Sequence, residues 1–223
     1  MNALDDPVSA SLRGAHAGLA IVAGRAARYP ADVSPFACLT DTSPAALADL
    51  AEIVSPGEAV GVMIPDLPLG RGWKVVLGLQ VIQMVCETTL EPPEPARTPE
   101  TLGPADVPEM LGLVEATQPG PFGARTIEMG RYAGFRSGGR LVAMGGERLR
   151  PPGFTEVSAI CTDPGFRGRG LGEAMVRALA AGIQGRGEVP FLHVMIGSAA
   201  VPLYRRLGFR ERRRSRLAVI QRS

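Results

Sequence analysis

The sequence predicts an α/β fold in two parts, and three observations carry that prediction. Runs rich in Val, Ile and Met alternate with runs whose apolar residues recur every three or four positions, the strand and helix signatures. Gly-, Pro- and Ser-containing breaks separate these runs. A tract with four prolines, EPPEPARTPE at 91–100, divides the chain, because proline blocks both helix and central strand. The expected organisation is an N-terminal α/β half over 1–90, a linker over 91–100 and a second domain over 101–223.

In the first half, Thr42, Ser43 and Pro44 form a start signal for a helix over 45–53. Residues 59–64 and 73–87 have the β-branched and apolar content of strands. His16 is the one histidine of this half, and beside an alanine-rich stretch it reads as structural. After the linker the spacing predicts a helix over 105–116, ended by Gln118, Pro119 and Gly120. Segments 128–136 and 140–150 flank Ser137, Gly138 and Gly139, which predicts a hairpin. A strand follows over 154–162. Met175, Val176, Leu179, Ala180 and Ile183 mark one face of a helix over 172–184. A strand over 189–196, a helix over 199–207 closed by Gly208, and a last strand over 216–221 complete the order.

The chain has 223 residues, 45% hydrophobic and 21% charged, the profile of a soluble globular protein. A net charge of +2 argues neither for a nucleic-acid binder nor for a membrane-surface protein. The charge is unevenly spread: residues 1–100 carry six basic and twelve acidic side chains, whereas 101–223 carry eighteen and ten. The second half is therefore expected to handle something anionic. Three widely spaced cysteines, Cys38, Cys86 and Cys161, suggest neither a disulfide framework nor a metal site, and point to the reducing cytoplasm. The start of the chain carries Asp5 and Asp6 in place of a basic leader. The apolar stretch 75–86 is too short to span a bilayer.

The informative stretch runs from Thr162 through Asp163, Pro164, Gly165, Phe166, Arg167, Gly168, Arg169, Gly170 and Leu171 to Gly172, between a predicted strand and a predicted helix. Its glycines allow close backbone approach to a ligand, and free N–H groups at a helix start attract anions. A dinucleotide fingerprint fails because the third glycine position is Glu173, and a Walker A loop fails for want of lysine. The pattern that fits is RxxGxG, made by Arg167, Gly170 and Gly172.

With that motif the chain resembles the GNAT superfamily of N-acetyltransferases. Ile160, Cys161 and Thr162 followed by Asp163 and Pro164 resemble the family's lead-in to the loop, and Phe191 to Val194 stand where its fifth strand belongs. Ala200, Leu203, Tyr204, Leu207, Gly208 and Phe209 reproduce its A-x-x-L-Y-x-x-L-G-F ending. The resemblance covers about 101–223, and the branch with glycine N-acyltransferase-like members also carries a separate N-terminal half. It implies a mixed sheet, splayed between its fourth and fifth strands and flanked by helices.

The resemblance further implies acetyl-CoA as cosubstrate, with no metal. Backbone groups of Ile160, Cys161 and Thr162 would bond the pantetheine arm, and one backbone donor to the oxyanion is worth about 2.7–4 kcal/mol of barrier. Arg167, Gly168, Arg169, Gly170, Leu171 and Gly172 would hold the pyrophosphate. Tyr204 is the candidate general acid for the leaving thiolate, a role worth about 10²–10⁴-fold, with helix packing as its structural alternative. Glu156 is the candidate base, with a paired strand charge as its alternative. His193 is the rival base, since imidazole changes charge near neutral pH. Gly197 stands where the family often has asparagine, and Ser198 is the substitute contact. Arg210–Arg216, with five arginines, reads as a solvated face or an attraction for the coenzyme's 3′-phosphate. The expected partner is a small-molecule or peptide amine, with no nucleic acid and no membrane; oligomeric state stays open. Two rivals are a non-catalytic acyl-CoA-binding module and an acyl-CoA:amino acid N-acyltransferase.

Overall fold

The computed structural model describes residues 2–63, 68–70 and 72–223. Its strands are β1 Ile21–Ala23, β2 Ala26–Arg28, β3 Ala37–Leu39, β4 Ala59–Val62, β5 Trp73–Cys86, β6 Glu100–Leu102, β7 Tyr132–Ser137, β8 Arg140–Glu147, β9 Phe154–Thr162, β10 Val189–Met195 and β11 Phe209–Arg222. Its helices are α1 Pro7–Leu12, α2 Pro44–Ile53, α3 Val107–Thr117, α4 Leu171–Gln184 and α5 Val201–Arg206. Eight strands form one mixed sheet in the order β4-β11-β5-β10-β9-β8-β7-β6, and β1-β2-β3 form a small second sheet.

The sheet splays at one place. The parallel pairing of β9 with β10 covers only Phe154–Val189, Thr155–Pro190 and Glu156–Phe191. Beyond it β9 stays on β8 and β10 turns to β5, where Phe191–Met195 pair with Val85–Val81. Among the described residues the two strands thus leave facing edges without partners, and unpaired backbone groups have to meet water or a ligand. Opposite faces of this sheet carry different layers. On one face α3 buries Met110 and Leu113 against Met144 and Cys161. On the other α4 buries Met175, Leu179 and Ile183 against Val157, and Val176 and Ala180 against Leu192 and Val194.

The boundary expected at 91–100 does not separate two sheets. β4 and β5, from the N-terminal half, lie in the main sheet, and β5 sits between β10 and β11. Its residues 81–85 pair with β10, while almost its whole length pairs with β11. The chain entering the proline tract is fastened to α4: the Leu90 amide donates to Gln184 Oε1 at 2.9 Å, and Gln184 Nε2 donates to the Thr88 carbonyl at 2.8 Å. The first forty residues pack on the sheet as well, with Leu4, Val8, Leu12 and Phe36 buried against Phe191, Leu149 and Leu217.

Most expected elements lie within a few residues of their places. Ser43 caps α2, its Oγ accepting from the Ala46 amide at 3.2 Å. The strand expected over 59–64 ends at Val62, and Ile64 lies outside the described residues. β7 begins at Tyr132 because Thr126–Met129 form a 3-10 turn. β11 starts at Phe209, so the arginine run is strand. Arginines there satisfy a pleated strand whose outer face is wet, since their heads stay in solvent or meet Asp5 and Glu211. Among the described residues no helix is long and apolar enough to cross a membrane.

The sheet order generates a prediction. Residues 97–223 alone lack β5, which leaves β11 unpaired and β10 with only its short contact to β9. That fragment should show no cooperative thermal transition where the full chain melts as one; a sharp calorimetric melt of the fragment would show that the sheet closes without β5.

Candidate active site

The splay opens into a cleft of about 550 Å3. Ile160, Ser198, Tyr204, His193 and Arg148 line it together with Gln118. Residues of the first half line it too, namely Phe36, Met63, Leu79 and Val81. This wall is apolar, so the acidity of the first half does not reach the cleft through these side chains.

Glu156, the last β9 residue paired to β10, is 0% exposed. Arg148 grips it with two bonds, Nε to Oε2 at 2.8 Å and Nη2 to Oε1 at 2.9 Å. His193 Nδ1 lies 2.7 Å from Glu156 Oε1. Burial pushes the Glu156 carboxyl up, but the Arg148 guanidinium and His193 overcome this and hold it well below the usual carboxylate range. A carboxylate so depressed and enclosed is a poor base, and it meets the cleft only through Arg148 and His193. The alternation expected along 156, 158, 160 and 162 is also broken. Ala159 takes a left-handed φ of 53°, and the β8 register slips between Met144 and Gly146. A non-glycine residue held there costs on the order of 1–3 kcal/mol. The bend brings Ser158, Ala159 and Ile160 to the cleft wall.

His193 belongs to a longer chain of contacts. Gln83 Nε2 lies 3.2 Å from His193 Nε2 and 3.0 Å from the Leu4 carbonyl, while Arg212 Nη1 donates to Gln83 Oε1 at 2.9 Å. Arg212 Nη2 then meets Asp5 at 2.6 Å. No sequence motif announced Arg148, Gln83 or Arg212. The one signal was Gln83 itself, a polar side chain amid the buried apolar run of β5.

Tyr204 lies in the α5 turn, 8% exposed, its ring edge-on to Phe209 at 6.0 Å. Burial raises its phenol above the ordinary value, so it is protonated at neutral pH. Among the described residues its hydroxyl has no hydrogen-bond partner, which leaves it available at the cleft. Ser198 Oγ accepts from the Ala200 amide at 3.3 Å and keeps its own proton to donate. The Cys161 side chain is in the core, where burial pushes its thiol up, so only its backbone can serve a ligand.

The loop from Arg167 to Gly172 is a separate feature at the end of β9. Gly168 and Gly170 have φ of 75° and 79°, conformations that favour glycine. They turn the chain into α4 so that, among the described residues, no backbone N–H from Gly168 to Glu173 donates to a protein acceptor. Arg167 Nε donates to the Thr162 carbonyl at 3.3 Å, and Arg169 stacks on Phe166 at 4.6 Å. Both guanidiniums thus lie against the loop itself, and the free donors of the turn are main-chain N–H groups. Arg97, from the proline tract, lies over it: its Nη1 is 2.8 Å from where a Gly170 Cβ would stand.

The buried ion pair fixes an acid response. Its contribution is full above the ordinary value of 4.5 for Glu156 and is lost as pH falls below it toward the folded value. Glu156→Gln leaves Arg148 buried beside a neutral partner, at an expected cost of about 3–5 kcal/mol near pH 7. The penalty should shrink near pH 3, as melting temperatures of both proteins at the two pH values will read.

Comparison with known proteins agrees with this geometry. Residues 132–218 match the family model described as FR47-like protein. An 82-residue stretch is 44% identical to N-alpha-acetyltransferase RimI of Mycobacterium tuberculosis, covering 35% of this chain and 51% of that protein. The chain therefore spans about half the length of that curated relative. The GCN5-related N-acetyltransferase from Kribbella flavida shares the fold, with a TM-score of 0.65 and 19% identity over 96% of this chain and 93% of that one. A putative acetyltransferase from the GNAT family of Novosphingobium aromaticivorans is 36% identical, covers 100% of both chains and superposes with a TM-score of 0.92. Because that likeness takes in the first ninety residues as well as the splayed strands, the whole chain belongs to the GNAT family of acetyltransferases.

Proposed function

We propose that the protein transfers acetyl from acetyl-CoA to a primary amine of a small molecule or peptide, by direct attack through a tetrahedral intermediate. The observation that carries this reading is the pairing of two features along β9: an anion cradle of free N–H groups at Gly168–Glu173 and a cleft holding both Tyr204 and His193. The residues present fit the cosubstrate. The cradle suits a diphosphate, and the free β9 edge suits an amide-bearing arm laid along it. Acetyl-CoA supplies the acyl carbon that the amine attacks and the thiolate that leaves.

Each chemical role falls to a group on the cleft wall. His193 takes the proton of the acceptor ammonium, since Glu156 is held too acidic and too deep for that task. Glu156 and Arg148 act behind it as positioning residues. A backbone N–H of the bent segment at Ala159 and Ile160 would hold the oxyanion. Tyr204 gives its proton to the departing sulfur, and Ser198 offers a hydroxyl to the coenzyme arm. Phe36, Met63, Leu79 and Val81 favour an acceptor with an apolar group beside its amine. The RimI relative is by name an N-alpha-acetyltransferase, which supports an amine acceptor and adds a peptide N-terminus to the candidates.

Release of free thiol from acetyl-CoA over a panel of amines, amino acids and short peptides tests the reading. A thermal shift with no thiol release from any acceptor would favour a module that only binds the coenzyme. Acetyl-CoA at 100-fold its dissociation constant should add about 2.7 kcal/mol of stability. Gly170→Glu should remove that shift, because it forces a side chain onto a φ of 79°, against Arg97, and adds charge beside the phosphates. Tyr204→Phe should keep the shift and slow turnover by about 10²–10⁴-fold; an unchanged kcat where chemistry limits the rate would leave Tyr204 a packing residue.

A further inference from the structure

We propose that Gln83, supplied by the N-terminal half, is the positioning residue that fixes the tautomer of His193 and keeps its Nε2 lone pair as the atom that receives the acceptor's proton. The assignment follows from which groups can only donate and which can only accept. Arg212 can only donate, so the Gln83 atom it meets at 2.9 Å is the carbonyl oxygen. The other end of Gln83 is then the amide nitrogen, and the Leu4 carbonyl, which only accepts, meets it at 3.0 Å. That nitrogen has two hydrogens, and the second is directed at His193 Nε2, 3.2 Å away. His193 Nε2 must accept, so its single proton is on Nδ1, where the Glu156 carboxylate receives it at 2.7 Å.

Two backbone features set up this arrangement. The β5–β11 register slips between Glu211 and Arg213, so Arg212 is the extra residue of a bulge. A bulge re-aims a side chain, and here it turns one arginine out of the exposed run toward Gln83 and Asp5. Gln83 itself is directly paired with His193 across β5 and β10, which keeps their side chains adjacent. The charged groups around the imidazole are Glu156 from β9, Arg148 from the end of β8, and Arg212 of β11 with Asp5 behind it. The Phe191 ring stands edge-on at 5.7 Å.

A neutral contact at 3.2 Å is at the long end of hydrogen-bond range, whereas an ammonium makes a charge-assisted bond about twice as strong. The acceptor's ammonium therefore displaces the Gln83 amide without the ring having to turn. The N–H bond of the ammonium breaks, its proton joins His193 Nε2, and the freed nitrogen lone pair attacks. This inference rests on His193 as the proton acceptor, and the test reads the two claims separately.

The chain has only two histidines, and the other is an internal contrast. His16 Nε2 meets the Met129 carbonyl and its Nδ1 meets the Tyr29 hydroxyl, both at 2.9 Å, so its proton is on Nε2. Imidazole 15N NMR of the full-length protein at neutral pH should show one histidine of each tautomer. Gln83→Glu keeps the bond to Arg212 but offers His193 only an acceptor. Both nitrogens of His193 should then carry protons, kcat should fall by about 10²-fold or more, and the acid limb of the pH profile should move upward. Gln83→Met removes the donor that marks Nε2 as the acceptor, so the 15N spectrum should show a mixture of His193 tautomers and kcat should fall, by less than in Gln83→Glu. A purely structural role for Gln83 would shift the stability of both variants and move neither the tautomer nor the pH profile. His193 protonated at Nε2 in the unmodified protein, or an unaltered tautomer in Gln83→Glu, would overturn the proposal. The expected tautomer change with unaltered turnover would uphold Gln83 and overturn His193 as proton acceptor.

Discussion

The pair Glu156–Arg148 stands at the point where two strands stop pairing, and the architecture of the cleft depends on it. Backbone hydrogen bonds hold β9 to β10 only as far as Glu156 and Phe191. Past that point the strands are joined by side chains, with His193 of β10 bonded to Glu156 of β9. A carboxylate with no exposure is costly to desolvate, and an apolar pair would fill the same space at less cost. What the ion pair adds is direction: Arg148 takes both carboxylate oxygens, which leaves one geometry for the imidazole beyond them. Phe36 stacks on the guanidinium at 5.0 Å and links this geometry to the first forty residues.

Much of the second half was legible because its signals are local. The glycines at 168 and 170 announce a tight turn before a helix, and the apolar stripe 175, 176, 179, 180 and 183 fits α4. Tyr204 and Ser198 were singled out through the family resemblance, and both line the cleft. What spacing could not supply was anything set by distant pairing. Glu156 looks like an available base on a strand read alone, and becomes an enclosed counter-ion only when Arg148 and His193 are brought against it. The arginines of 210–216 lowered the apparent strand content of β11, whose partner β5 lies in the other half. The proline tract reads as a divider because sequence spacing cannot reveal that β5 crosses it into the same sheet.

Two irregular strands do comparable work in the site. The bend at Ala159 carries strain into the cleft wall, where it turns β9 backbone toward the space left by the splay. The bulge at Arg212 carries little strain but redirects one charge among five inward. The site is thus built from departures from the β ladder, each next to a buried polar partner.

The insertion of β5 between β10 and β11 also bears on how the chain comes off the ribosome. β5 is made before both of its neighbours, which lie after the Arg167–Gly172 loop. Val75, Val76 and Leu77 are about half exposed even in the finished molecule. Until β11 emerges they belong to an unpaired strand with high β-propensity, the kind of segment that captures other chains. Pairings so distant in sequence also close slowly. The nascent protein accordingly has an unpaired β5 to manage until β11 emerges.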